Sequence, residues 1–306
     1  MISGYYNQIK NELLNNEVYK RVKDYSKDRN ELSTYYNVGK LLIEAGKQYG
    51  EKIIGNYSEK LVVEVGKKYN KRTLFRMRQF YKLIEEQKVS TVSTQLSWSH
   101  YCELLSIKDI DEINYYIITT ERYNLSVREL RERIKNKEYQ RLDDNTKLKL
   151  VNRKEISIGE TIKNPIIIKN KSGIDKENIS EKILQRLILE DIPSFLEELG
   201  DGYSFIKNEY KIKINNTYNY IDLLLFNYIY NSFVVVELKV TEARKEHIGQ
   251  IEVYMNYIDK HIKSVTNNKT IGIIVARRDN HYYIEYSSDK RIYTRNYEIV
   301  WGGLHE

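Results

Sequence analysis

"IDLLLFNYIYNSFVVVELKV", Ile221 to Val240, is the most apolar segment of the chain, and it carries three formal charges, Asp222, Glu237 and Lys239. Eighteen or more apolar residues in a row would suggest a membrane span, but Asp222, Asn227 and Asn231 interrupt this run. Its β-branched and aromatic content suits strands instead. The stretch reads as an antiparallel hairpin turning near "YNS". Alternate strand residues share a face, so Glu237 and Lys239 point with Phe233 and Val235, and Asp222 points with Leu224 and Phe226. Pairing across the turn can bring Asp222 close to Glu237 and Lys239.

Two carboxylates forced together in a semi-apolar place repel, and each costs several kcal/mol to desolvate unless something compensates. A divalent cation is the usual compensation. Oxygen ligands with few histidines nearby select Mg²⁺, with Mn²⁺ as the alternative. Lys239 would then hold or activate a water and offset charge in the transition state. The competing reading is an ordinary Glu–Lys pair at a sheet edge.

Outward from the hairpin, "YSFIKNEYKIKI" reads as the preceding strand. A helix from about Thr241 to His261 follows, presenting Gln250, and then "TIGIIVARR" and "HYYIEYSS" as further strands. Upstream, "ENISEKILQRLILEDIPSFLEEL" is helical, broken or restarted at Pro193 and stopped by "GDG". Residues 146–178 lose any helical period and read as a linker, and residues 179–306 as the second domain.

Residues 1–145 read as an all-helical domain. In "NKRTLFRMRQFYKLIEE", Leu74, Met77, Phe80, Tyr81 and Ile84 share one face, and Arg72, Arg76 and Gln79 line another. In "LSVRELRERIKN", Ser126 caps a helix with Glu129 three residues later. That helix buries Val127, Leu130 and Ile134 and exposes Arg128, Arg131, Arg133 and Lys135. "STQLSWSHYCELLSI" and "KDIDEINYYIITTERYN" read as two more short helices, spaced as in helix-turn-helix domains. His100 and Trp98 read as capping and packing groups.

The net charge of the 306 residues is +7, and it is not spread evenly. Residues 1–155 hold 30 Lys+Arg against 22 Asp+Glu, a net +8, whereas residues 156–306 hold 20 against 21, a net −1. A basic half beside a near-neutral half suggests that the first seeks a polyanion, with Arg72, Arg76, Arg128 and Arg131 as candidate contacts. The single cysteine, Cys102, excludes an intramolecular disulfide and a zinc site built on cysteine pairs, and suits a cytoplasmic setting. The N-terminus shows no secretory or lipidation signature, so neither export nor a membrane partner is expected.

Asp222, Glu237-x-Lys239 and Gln250, placed on strand, strand and helix, resemble the PD-(D/E)xK nuclease superfamily. More closely, the chain resembles the bacterial YhcG family. The matching stretches are "FLEELGDGYSFIKNEYKI", "YIDLLLFN", "VVVELKV" and "GQIEVYMNYID" in the second half, with "LFRMRQFY", "QLSWSHYCELLSI" and "LSVRELRERI" in the first. The resemblance implies a two-domain α+β protein, an all-α domain followed by an α/β restriction-endonuclease-like core with a mixed sheet. It further implies that Asp222, Glu237 and the carbonyl of Leu238 bind Mg²⁺, that Lys239 assists the hydrolytic water, and that Gln250 orients the site. Ile221 stands where the superfamily pattern has proline. An acidic residue often joins such sites from the preceding helix, where Gln185, Glu181 and Glu190 lie. The first half is also similar to the helix-turn-helix region of ParB-like proteins. The expected activity is phosphodiester hydrolysis in DNA. RNA as substrate, or a catalytically silent DNA-binding protein on a nuclease fold, remain alternatives, and a homodimer is expected where two strands are cut.

Overall fold

The computed structural model describes residues 4–21, 27–86, 95–151, 154–278 and 289–301. The chain divides into two compact units, Met1–Tyr139 and Gln140–Glu306.

The first unit is helical throughout its described residues: α1 (Gly4–Arg21), α2 (Lys27–Tyr49), α3 (Ile53–Glu64), α4 (Lys71–Glu86), α5 (Trp98–Leu104), α6 (Ile110–Tyr123) and α7 (Val127–Lys135). Its main core joins Ile9 and Leu13 of α1, Val38 and Leu42 of α2, Ile54 and Leu61 of α3, and Leu74 and Met77 of α4. Of the expected apolar face of α4, Leu74, Met77 and Phe80 are buried and Tyr81 and Ile84 lie at its margin, while Leu83, not expected there, is buried as well. Helices α2 and α4 approach closely at Gly39, where an added Cβ would lie 2.3 Å from the Met77 carbonyl oxygen.

Local sequence sets the ends of α5, α6 and α7. Asp109 caps α6, and Asn124 leaves it in the left-handed conformation (φ 49°), which a short polar side chain tolerates. Ser126 then caps α7: its Oγ accepts the Glu129 N–H at 3.3 Å, and the Glu129 carboxylate accepts the Ser126 N–H at 2.7 Å. Three residues thus separate α6 from α7. His100 Nδ1 accepts the Ser97 N–H (3.1 Å) at the start of α5, its Nε2 lies 3.0 Å from the Leu125 carbonyl, and Trp98 packs edge-on against Tyr35 and Phe80.

The second unit contains α8 (Asp144–Val151), α9 (Ile158–Thr161), β1 (Ile166–Asn170), α10 (Glu181–Glu190), α11 (Ile192–Leu199), β2 (Tyr203–Ile214), β3 (Thr217–Asn227), β4 (Ser232–Glu242), α12 (Lys245–His261), β5 (Ile271–Arg278) and β6 (Ile292–Trp301). The six strands form one sheet in the order β1-β6-β5-β4-β3-β2. Strands β2, β3 and β4 are an antiparallel meander, while β5 pairs parallel with β4 and β6, and β1 parallel with β6. A parallel step needs a crossover, and α12 supplies it between β4 and β5. Leu223, Leu225, Val234 and Val236 pack with α10 and α11, whereas Leu224, Val235 and Ile274 pack with Ile251, Met255 and Ile258 of α12. The central strands are covered on both faces, as their apolar sequences require.

One expectation needs correction. Residues 146–178 are no linker: they hold α8, α9 and β1, whose Ile166, Ile167 and Ile168 are buried. This segment is also tied down by polar contacts. Arg141 donates to the Glu198 carboxylate and to the Pro165 carbonyl (2.7 Å), and Glu198 accepts the Ile167 N–H (2.8 Å). Among the described residues the last strand is β6, at Ile292–Trp301, which sequence reading did not place. The strand expected at "HYYIEYSS" lies outside the described residues.

Candidate active site

The β3–β4 turn is fixed by Asn227, whose side-chain oxygen accepts the N–H groups of Ile229 and Tyr230 at 3.1 Å each, and by Asn231 at φ 48°. The ladder then runs in register from Asn227↔Ser232 to Leu223↔Val236 and stops. Asp222 and Glu237 lie one step beyond the last pair, near enough that the charge of Asp222 disfavours ionisation of Glu237. The Leu238 N–H, past the end of the ladder, donates instead to Asp222 Oδ2 at 2.8 Å. A backbone donor orphaned by the ladder's end is thereby satisfied, and the carboxylate is aimed by it.

The strand pattern also slips at this point. Strict alternation would put Ile221 with Leu223, yet Ile221 packs with Leu224 and Val235 beneath α12. Across the β2–β3 ladder the pairs are Asn208↔Leu223 and Tyr210↔Ile221, and the residue between on β2, Glu209, has φ 45°. A non-glycine residue in this region is strained by about 1 kcal/mol or more, and such irregularities concentrate at functional sites because they re-aim side chains.

Glu237 is 2% exposed and Lys239 9%. Lys239 Nζ lies 3.5 Å from Glu237 Oε2 and 3.6 Å from Glu181 Oε2 on α10, while Glu237 Oε1 is buried without a hydrogen-bond partner. Gln185, also on α10 and buried, donates to the Asp222 backbone carbonyl at 3.0 Å. Gln250 does not bond to the charged trio: its amide donates to Tyr254 Oη at 2.9 Å, one turn along α12.

The electrostatics follow from burial. Desolvation, then repulsion from Asp222, pushes the Glu237 carboxyl up to about 8. Desolvation also raises Asp222, against the Leu238 N–H and Lys239, with Glu181 and Glu209 adding to the rise. Burial pulls Lys239 down, but Glu237, Glu181 and Asp222 outweigh it and hold the ammonium above its ordinary value. His247 is lowered by burial and then by Lys239.

A divalent cation fits this donor set. The orphaned Glu237 Oε1 is the kind of buried acceptor that a cation satisfies, and Asp222 supplies a second hard oxygen near it. No group of three or more His, Cys, Asp or Glu side chains suited to a metal occurs among the described residues, so two carboxylates would leave several positions to waters and a phosphate oxygen.

Of the residues anticipated from sequence, the fold brings Asp222, Glu237, Leu238 and Lys239 together, with Glu181 and Gln185 beside them. Sequence reading missed Tyr254, and its only signal was the four-residue helical step from Gln250. In the helical unit, Arg72, Arg128 and Arg131 are exposed and Arg76 is half-buried; Arg131 donates to Glu103 through two hydrogen bonds of 2.8 and 3.1 Å, and Arg128 lies 3.7 Å from Glu132. Arg133, expected on the exposed face of α7, folds back onto buried Glu138 at 3.1 Å.

A mixed sheet covered by helices, with a buried carboxylate pair and a lysine where its antiparallel ladder ends, defines a nuclease core of the PD-(D/E)xK type. Residues 159–300 match the YhcG PDDEXK nuclease domain and residues 15–141 the DUF1016 N-terminal domain. With both domains matched in this order, the chain is similar over most of its length to the YhcG family of PDDEXK nucleases. The protein named "Putative nuclease YhcG" in Escherichia coli (strain K12) is 24% identical over 286 residues, covering 80% of this chain and 76% of that relative. Among solved structures, a repair endonuclease from Pyrococcus abyssi overlaps 40% of this chain and 49% of its own, at 20% identity and a TM-score of 0.30. An EndoMS complex with double-stranded DNA overlaps 40% and 48%, also at 20% and 0.30. The chain thus spans about half the length of these structures. No helix among the described residues is long and apolar enough to cross a membrane.

Proposed function

We propose that the protein is a divalent-metal-dependent nuclease that hydrolyses phosphodiester bonds in DNA, and that its helical unit binds the DNA backbone. The observation that carries this reading is the buried Glu237 carboxylate, with one oxygen unpartnered, set near Asp222 and beside Lys239. Asp222 and Glu237 would hold the ion, Mg²⁺ or Mn²⁺, with the Leu238 carbonyl as a further oxygen ligand. When bound, such an ion supplies charge stabilisation at a phosphate and lowers the pKa of water.

The chain's own residues do the rest. The Leu238 N–H fixes Asp222 Oδ2, and Gln185 holds the β3 backbone from behind. Lys239 stays an ammonium because three carboxylates surround it, so it donates hydrogen bonds and removes no proton. Glu181 and Glu237 each lie near Nζ, and its remaining N–H can hold a water or a phosphate oxygen as negative charge builds.

In the helical unit, the three-residue turn between α6 and α7 matches helix-turn-helix length, and Arg128 on α7 and Arg72 and Arg76 on α4 would contact phosphates. With Arg131 tied to Glu103, it contributes less. A cytosolic setting suits the single half-buried cysteine.

The test incubates the full chain with plasmid, linear, branched and single-stranded DNA and with RNA, in Mg²⁺ or in EDTA. Cleavage of DNA in Mg²⁺, absent in EDTA and absent in Lys239→Ala and Asp222→Asn, is the expected result. Wild type that leaves every substrate intact, or variants that cut as well as wild type, would overturn the catalytic assignment. Cleavage of RNA alone would replace the substrate.

A further inference from the structure

Beside the carboxylates, the β2–β3 hairpin has one anchored face and one bare face. Ile212 and Ile221 are buried beneath α12. Their neighbours Lys211, Lys213, Tyr218 and Tyr220 point the opposite way and are all exposed, the two tyrosines at 54% and 52%. The register pairs Lys211 with Tyr220 and Lys213 with Tyr218, so the four form a compact block two strands wide. The Lys211 ammonium sits 3.7 Å from the centroid of the Tyr218 ring and that of Lys213 5.9 Å from it. β2 is the terminal strand of the sheet. Lysines on a sheet edge also discourage strand pairing, which accounts for Lys211 and Lys213 but not for two half-exposed tyrosines on the inner strand.

We infer that this face is a binding platform for a single-stranded stretch of nucleic acid, leading the chain into the carboxylate pair. The inference rests on the nuclease reading of Asp222 and Glu237 and names the form of substrate that the site takes. Cationic side chains interleaved with exposed aromatic faces are what an unpaired strand requires: ammonium groups for phosphates and rings on which bases stack. A duplex hides its base faces and has no use for the tyrosines. Tyr220 precedes Asp222 by two residues on the same strand, about 7 Å at the rise of extended chain, so a nucleotide on Tyr220 is a near neighbour of the site. Glu209, on the same edge strand and close to Asp222, is exposed and acidic; it discourages phosphates there and leaves Lys211 and Lys213 as the cationic end of the face.

The test measures binding of the full chain in EDTA, where cleavage does not intervene, to a labelled single-stranded oligonucleotide and to its blunt duplex, by fluorescence anisotropy. Tyr218→Ala/Tyr220→Ala should weaken single-strand binding roughly tenfold or more per lost stacking ring and leave duplex binding unchanged. Tyr218→Phe/Tyr220→Phe, which keeps both rings, should bind as wild type. Lys211→Gln/Lys213→Gln should reduce the salt slope for the single strand by about 1.4, from roughly 0.7 per phosphate contact. Alanine variants that bind the single strand as wild type does, or that lose duplex and single strand equally, overturn the platform. Cleavage in Mg²⁺ is scored separately. Inactivity of wild type on every substrate, with the tyrosine effect intact, sinks the nuclease reading alone. Normal cleavage with no tyrosine effect sinks the platform alone.

Discussion

Glu237→Gln should make the metal-free protein more stable at alkaline pH while abolishing cleavage. In the folded chain the carboxyl is raised from its ordinary 4.5 to about 8, by burial first and then by Asp222. Below about pH 4.5 the group is protonated in both folded and unfolded chains and contributes nothing. Between about 4.5 and 8 the unfolded chain gives up its proton and the folded chain keeps it, so stability falls by ~1.4 kcal/mol for each pH unit. Above about 8 the loss levels off at a ceiling of about 5 kcal/mol. Glutamine has the same shape and no charge to desolvate, so it recovers part of that ceiling, less what Lys239 loses when its 3.5 Å partner is neutralised. Because Lys239 keeps Glu181 at 3.6 Å, the net gain should be on the order of 2 kcal/mol at pH 8.5 and near zero at pH 5. Urea unfolding in EDTA at both pH values reads it directly. A variant that is destabilised at pH 8.5, or equally stabilised at both, would refute the claim that a buried, uncompensated carboxylate strains this site.

Because cation and proton compete for Glu237, the apparent affinity for Mg²⁺, followed by thermal shift, should rise steeply between pH 6 and 8; a pH-independent affinity would exclude Glu237 as a ligand. Arg141→Ala removes one partner of a buried pair and leaves Glu198 uncompensated, so the nuclease unit should lose about 3–5 kcal/mol by urea unfolding. A loss within ~0.5 kcal/mol would mean that the segment from 140 to 178 is not integral to that unit. Gly39→Ala drives a Cβ into the Met77 carbonyl, so the helical unit should lose about 2 kcal/mol and unfold earlier by circular dichroism, with nuclease-unit stability unchanged.

Much of the second unit was legible because its signals are local. β2 spans Tyr203–Ile214, where alternation placed it, and β3 and β4 match to within a few residues. The capping box at Ser126 is likewise a four-residue pattern, and it set the start of α7. β1 was illegible for the opposite reason. "IIIKN" is five residues between lysine- and asparagine-rich stretches, and what makes it a strand is parallel pairing with Tyr297–Trp301, some 130 positions away. No local pattern encodes such a partner, and contacts of that range are found only when the sheet assembles. Side-chain commitments were hidden too: Arg131 and Arg133 were placed on the correct helix, but each is engaged by a glutamate, Glu103 or Glu138, that helical spacing alone does not single out.

The three charges in the hairpin become intelligible at the end of the ladder. Had β3 and β4 paired two steps further, the Leu238 N–H would have found a backbone acceptor and Asp222 would have had no fixed donor. Because pairing stops at Leu223 and Val236, the same interruption aims Asp222, leaves it near Glu237 and puts Lys239 within reach of α10. Apolar strands on either side keep water from relieving the repulsion, which is why Glu237 holds its proton so far above the usual carboxylate range. A hairpin chosen for stability alone would have no such break. The arrangement is costly to the folded chain without a cation and is relieved by one, so the local instability and the proposed chemistry have a single origin.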